Sequence, residues 1–141
     1  MRRKNMYFLA IAAILAITVV FAVFASGADE ENIGFLNSFG WQTDGKCIEK
    51  QEIIIPDPFD LVYENYNKLQ LDSGFDLRPY KGKTGMRYTY IVTNYPIDVH
   101  QEVRANIICI DGLPVGGDIC TVALDGFMHG LKKRNTKEIQ K

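Results

Sequence analysis

Asp118, Asp125 and His129 stand close together near the C-terminal end of the chain, with Cys120 among them. A carboxylate, an imidazole and a thiol are the groups of a hydrolytic site: one orients, one moves a proton and one attacks. The surroundings argue otherwise. Cys120 sits in an apolar stretch beside Ile119 and Val122, where cysteine packs as a small hydrophobe and gains no thiolate character. Asp118 follows Gly116-Gly117, a context in which aspartate usually bonds its own backbone. No catalytic residue is assigned, and Asp118 and His129 remain as candidate recognition residues. A second cluster, Asp76, Arg78, Tyr80, Lys81 and Lys83, crowds one segment. Loops on rigid scaffolds often bind, so Asp76, Arg78, Tyr80 and Lys81 join the candidate surface. The blander reading is a solvated loop with local ion pairs.

His100 and Glu102 share a face if they lie on a strand. A metal needs three or four ligands, and no Cys/His spacing here supplies them, so neither a metal nor a cofactor is expected. Tyr63, Tyr66, Tyr80, Tyr88, Tyr90 and Tyr95 could form an aromatic platform for sugar or peptide. At their periodicities they read better as core residues with hydroxyls at its margin.

These side chains must be positioned by an element pattern that the sequence largely declares. Asp29 is placed to cap a helix from Glu30 to Phe39, which Gly40 ends. Cys47 to Ile55 reads as a strand stopped by Pro56. Asp57-Pro58 reads as a helix start, with Phe59, Val62, Tyr63, Tyr66 and Leu69 on its buried face. Phe75 to Gly85 reads as loop. Met86 to Tyr95 alternates, with Met86, Tyr88, Tyr90 and Val92 on one face. Glu102 to Ile110 alternates too, with Val103, Ala105, Ile107 and Cys109 inward and Glu102, Arg104 and Asn106 outward. Asp111-Gly112 signals a two-residue hairpin turn, and Leu113 to Leu124 returns. Glycine at 116 and 117 suggests a bulge or a close backbone approach. Phe127-Met128 and Leu131 close one end of the core. The expectation is an α+β domain: a mainly antiparallel sheet with a three-strand C-terminal meander, covered on one face by one or two helices.

Three cysteines, Cys47, Cys109 and Cys120, leave at least one unpaired. In the expected hairpin Cys109 faces Pro114, so Cys120 lies roughly 20 Å out of register, beyond the reach of a disulfide. Buried, reduced cysteine is expected at all three positions.

The N-terminus addresses the chain. Arg2, Arg3 and Lys4 precede a charge-free apolar run from Met6 to Ala25. A helix of that length is about 30 Å long and matches a bilayer core, with the basic end cytoplasmic. The expected partner of Met6 to Ala25 is the lipid bilayer, and the expected location is the cell membrane, single-pass, with the C-terminal domain outside. The alternative is a signal peptide cut after Val23-Phe24-Ala25 or Ala25-Ser26-Gly27, giving a secreted protein. The organisation read is 1–27 stub and anchor, 28–131 extracytoplasmic domain, and 132–141 basic tail. Residues 28–131 hold 8 basic and 16 acidic side chains, a net of −8, which opposes phosphate and excludes nucleic acid as a partner. The short cytoplasmic stub leaves no room for an output domain, so a membrane or envelope protein partner is expected.

The ordered motifs Val62-Tyr63-Glu64-Asn65-Tyr66-Asn67-Lys68-Leu69-Gln70, Gly74-Phe75-Asp76-Leu77, Tyr80-Lys81-Gly82-Lys83, Arg87-Tyr88-Thr89-Tyr90, Asn94-Tyr95-Pro96, Gly116-Gly117-Asp118 and Gly126-Phe127-Met128-His129 resemble the bacterial family called domain of unknown function 4830. The resemblance covers residues 31–131. It implies a bacterial, membrane-anchored extracytoplasmic domain and brings no activity or ligand. The reading is a non-enzymatic interaction or accessory module at the bacterial envelope; the rivals are an envelope hydrolase or a peptide- or glycan-binding protein.

Overall fold

Both alternating faces of the central strand are apolar, and this decides the architecture. In β3 (Val103–Ile110) every residue except Arg104 is buried. Ala105, Ile107 and Cys109 belong to one hydrophobic layer. Ile108 and Ile110, pointing the other way, belong to a second. A strand apolar on both sides needs cover on both sides.

The computed structural model describes residues 27–96 and 99–133. A helix, α1, spans 27–38. It is followed by β1 (Thr43–Ile54), α2 (Leu61–Asp72), a 3-10 turn (Arg78–Tyr80), β2 (Thr84–Val92), β3, β4 (Leu113–Thr121) and β5 (Met128–Gly130). Contacts divide the chain between Glu31 and Asn32, and the sheet with both layers belongs to the second unit. The strands form one antiparallel sheet in the order β1-β2-β3-β4-β5. The expected α+β class holds, while the meander has five strands; β5 is three residues long, too short to show as alternation.

The helices lie on opposite faces, which corrects the expectation of one covered face. Leu36 of α1 packs with Trp41, Tyr90 and Ile107, and Ile33 and Phe35 lie against them. Tyr63 and Tyr66 of α2 pack against Ile108, Ile110 and Val115. Each fully buried Leu or Ile side chain contributes about 1.5–3 kcal/mol. The indole Nε1 of Trp41 donates to the Leu131 carbonyl at 2.6 Å and ties the first layer to the residue that follows β5.

Several boundaries differ from expectation. Asp29 lies inside α1 and does not cap it; Gly40, at φ 83°, does end it. The cap of α2 is Asp60, whose carboxylate accepts from the Tyr63 amide at 2.7 Å, and Asp57-Pro58 is a cis peptide in the preceding bend. The helix is also rotated. Val62 is 74 % exposed, and the buried positions are Asn67 and Gln70. Their amides explain the rotation. Asn67 Oδ1 accepts from the Leu77 amide at 2.8 Å, and Gln70 Oε1 accepts from the Gly117 amide at 2.7 Å. Buried backbone donors need such partners, and leucine or valine could not serve them.

The β3–β4 hairpin is as expected. Asp111 and Gly112 have φ of 51° and 77°, as a type I′ turn requires, and Cys109 pairs with Pro114. The bulge falls at Val115, one residue before the glycine pair. Gly117 is there for close approach, since a Cβ would sit 2.3 Å from the Asn106 carbonyl oxygen. All three cysteines are free, but only Cys109 is buried. Among the described residues no helix is long and apolar enough to cross a membrane. The span from Met6 to Ala25 and the tail beyond Lys133 lie outside the described residues.

Candidate functional site

Asp118 is held at the centre of the sheet, on the face under α2. Thr89, Asn106 and Asp118 are register partners on three adjacent strands, so their side chains stand in a row. Thr89 Oγ1 donates to Asn106 Oδ1 at 2.7 Å. Asn106 Nδ2 donates to Asp118 Oδ1 at 2.9 Å, and the Tyr66 hydroxyl comes down from α2 to Asp118 Oδ2 at 2.7 Å. Asn106 was expected to face outward, yet it is buried, because α2 covers that face. Burial pushes the Asp118 carboxyl above its ordinary range, against the pull of the Asn106, Tyr66 and Cys120 bonds and the Arg87 charge. The Tyr66 phenol is raised well above its usual value, first by burial and then by the Asp118 charge. Burial and Asp118 also push the Cys120 thiol up to about 11. That thiol stays protonated near neutrality and is a poor nucleophile.

The hydrolytic constellation is not assembled. His129 pairs with Ile119, between Asp118 and Cys120, and so faces the other layer. There it stacks with Phe127 at 5.7 Å and lies 6.0 Å from Trp41. Its Nδ1 donates to the Gly130 carbonyl at 2.7 Å; in the neutral ring Nε2 then accepts from the Tyr95 hydroxyl at 3.0 Å. Asp125 is exposed and meets Gln101 at 3.5 Å.

The loop cluster is committed locally. Asp76 accepts from the Arg78 amide at 3.0 Å and from Asn67 Nδ2 at 2.9 Å. Those two bonds hold its carboxyl below the ordinary range. Arg78 lies 3.6 Å from both Glu64 and Asp76, exposed pairs of small energetic value. Lys81 covers the Phe59 ring at 4.6 Å, and Lys83 covers Tyr80 at 5.7 Å. Of the six candidates, Asp118 and Asp76 are both joined to α2, through Tyr66 and Asn67. Glu102 pairs with Arg104 at 2.6 Å, and among the described residues no group of His, Cys, Asp or Glu could hold a metal.

Beside the Asp118 row lies a feature the sequence did not disclose. A groove of about 470 Å³ runs between α2 and the sheet. Val62, Tyr63 and Tyr66 form its helical wall, Ile53 and Ile54 the end of β1, and Ile108, Arg87 and Met128 the remainder. Ile54, Val62 and Met128 are all exposed. The Arg87 guanidinium donates through Nη2 to Gln51 at 2.6 Å and Glu49 at 3.3 Å; its Nε is buried with no protein acceptor. The one sequence signal was Ile53-Ile54-Ile55, a run more apolar than a half-buried strand requires. The arrangement can seat an apolar side chain.

Fold and groove together define a small antiparallel α+β domain with a helix-and-sheet cleft. The chain belongs to the family described as Domain of unknown function (DUF4830), whose profile matches residues 35–119. No curated protein and no solved structure matches it.

Proposed function

We propose that this chain is a non-enzymatic accessory module of the bacterial cell envelope, tethered by Met6 to Ala25 and presenting its domain outside the membrane. It works by seating an apolar segment of a neighbouring membrane or envelope protein in the groove under α2. The observation that carries this reading is the groove itself: exposed Ile54, Val62 and Met128 around a concavity, on a domain otherwise dominated by acidic side chains. Exposed apolar concavities mark binding sites more often than bare surface.

The test is a photoactivatable cross-linker at Val62 in the full-length chain in native membranes, with the same group at Asp44 as control. A discrete adduct at Val62, absent at Asp44 and lost on Ile54→Asp, is expected. No adduct, or equal labelling at both sites, overturns the reading.

A further inference from the structure

We propose that the outer edge of β1 pairs with the same edge of a second copy of this chain, with Gln51 on the two-fold axis. β1 is the terminal strand of the sheet order, and its twelve residues are nearly all exposed. Such an edge is a template for another strand, and proteins normally spoil it with bulges and charge. Here the spoiling is confined to one half. Both register irregularities in β1 lie between Thr43 and Glu49. From Glu49 to Ile54 the pairing with β2 is unbroken, so that half is a regular, open edge.

The charges of that half complement themselves. An antiparallel pairing about a two-fold axis at Gln51 places Lys50 opposite Glu52 of the second copy, and Glu52 opposite its Lys50. Opposite charges directly across a ladder stabilise it. On the opposite face the same register sets Ile53 against Glu49 of the second copy, both within the regular half. Moving the axis to Lys50 sets Lys50 against itself, and moving it to Glu52 sets Glu52 against itself. The Gln51 register thus joins two attractive pairs beside the axis, and each subunit presents the same patch, as a two-fold interface requires.

The test uses the full-length chain in native membranes. Gln51→Cys in a Cys47→Ser background should give a covalent dimer under mild oxidation. Residues on the axis have Cα atoms about 4.5–5.5 Å apart, within disulfide range. Asp72→Cys on α2, in the same background, should not. Lys50→Glu or Glu52→Lys alone turns two attractive pairs into two repulsive ones and should weaken association on the order of tenfold. Lys50→Glu/Glu52→Lys together should restore it, a rescue that misfolding cannot imitate. A monomeric chain, a dimer indifferent to single reversals, or a double variant as weak as the singles overturns the proposal. The readout is self-association, so its failure is separate from failure of the groove to bind a partner.

Discussion

Tyr66 and Asp118 are the residues whose chemistry is most exposed to test. The Tyr66 hydroxyl joins Asn106 and Cys120 as a side-chain donor to a carboxylate buried in mid-sheet. Tyr66→Phe should destabilise the domain by about 1–3 kcal/mol at pH 7, the range for losing a hydrogen bond to a charged buried group. It should also raise the Asp118 carboxyl further, because that bond holds it down. Folded Asp118 binds its proton more tightly than unfolded aspartate. The stability it lends is therefore complete below about pH 4 and is lost as pH rises through the raised folded value. Asp76, with its folded value lowered, acts in the opposite sense at lower pH, and it is exposed enough for solvent to screen it. Thermal melts across pH should show a declining limb above about pH 4 that Asp118→Asn removes. A limb unchanged by that substitution would place the titration elsewhere. The Cys120 thiol, pushed up to about 11, should alkylate with iodoacetamide at pH 8 far more slowly than an ordinary free thiol and accelerate as pH approaches that value. Of this row only Asp118 was singled out beforehand, and its partners were not. Asn106 and Thr89 alternate like solvent-facing residues, and only the helix laid over them makes them core.

At the scale of elements, the two kinds of glycine in this fold predict opposite outcomes. Gly117→Ala should cost about 1–3 kcal/mol, since its Cβ meets the Asn106 backbone 2.3 Å away and Leu131 at 3.1 Å, and neither strand can yield. Gly34→Ala, in α1 with nothing within 4 Å, should stabilise by about 0.5–1 kcal/mol. Urea unfolding of the two variants beside the parent checks both signs. The close approach at 117 was readable from a glycine pair inside a strand. So was the β3–β4 hairpin, because Asp-Gly fixes the turn and the turn fixes the register. What could not be read depends on distant partners. The α2 rotation follows from Asn67 and Gln70 serving the amides of Leu77 and Gly117. A face-counting rule ranks those positions polar and turns Val62 inward, which hides the groove. The placement of the helices on opposite faces was latent in the unbroken run Ile107-Ile108-Cys109-Ile110, which serves both layers.

For the whole molecule, the proposed anchor and the proposed edge pairing would depend on each other energetically. The proposed pairing through one half-strand is small beside the standard stable interface of about 1,600 Å², and such contacts are weak between freely diffusing partners. Under the proposed anchoring, tethering both copies to one bilayer by Met6 to Ala25 would raise their effective concentration, as a short linker does. The same edge can then be populated without aggregating in solution. The proposal of a retained anchor predicts that mature chain recovered from membranes begins at or next to Met1, resists carbonate extraction, and yields the Gln51→Cys dimer. Chain beginning at Gly27 and purified at micromolar concentration should run as a monomer and bind no second copy detectably. A mature N-terminus near Ser26 or Ala28, found by intact-mass measurement, would make this a secreted protein. The edge would then have to hold unaided, and a stable dimer of the released domain would show that it does.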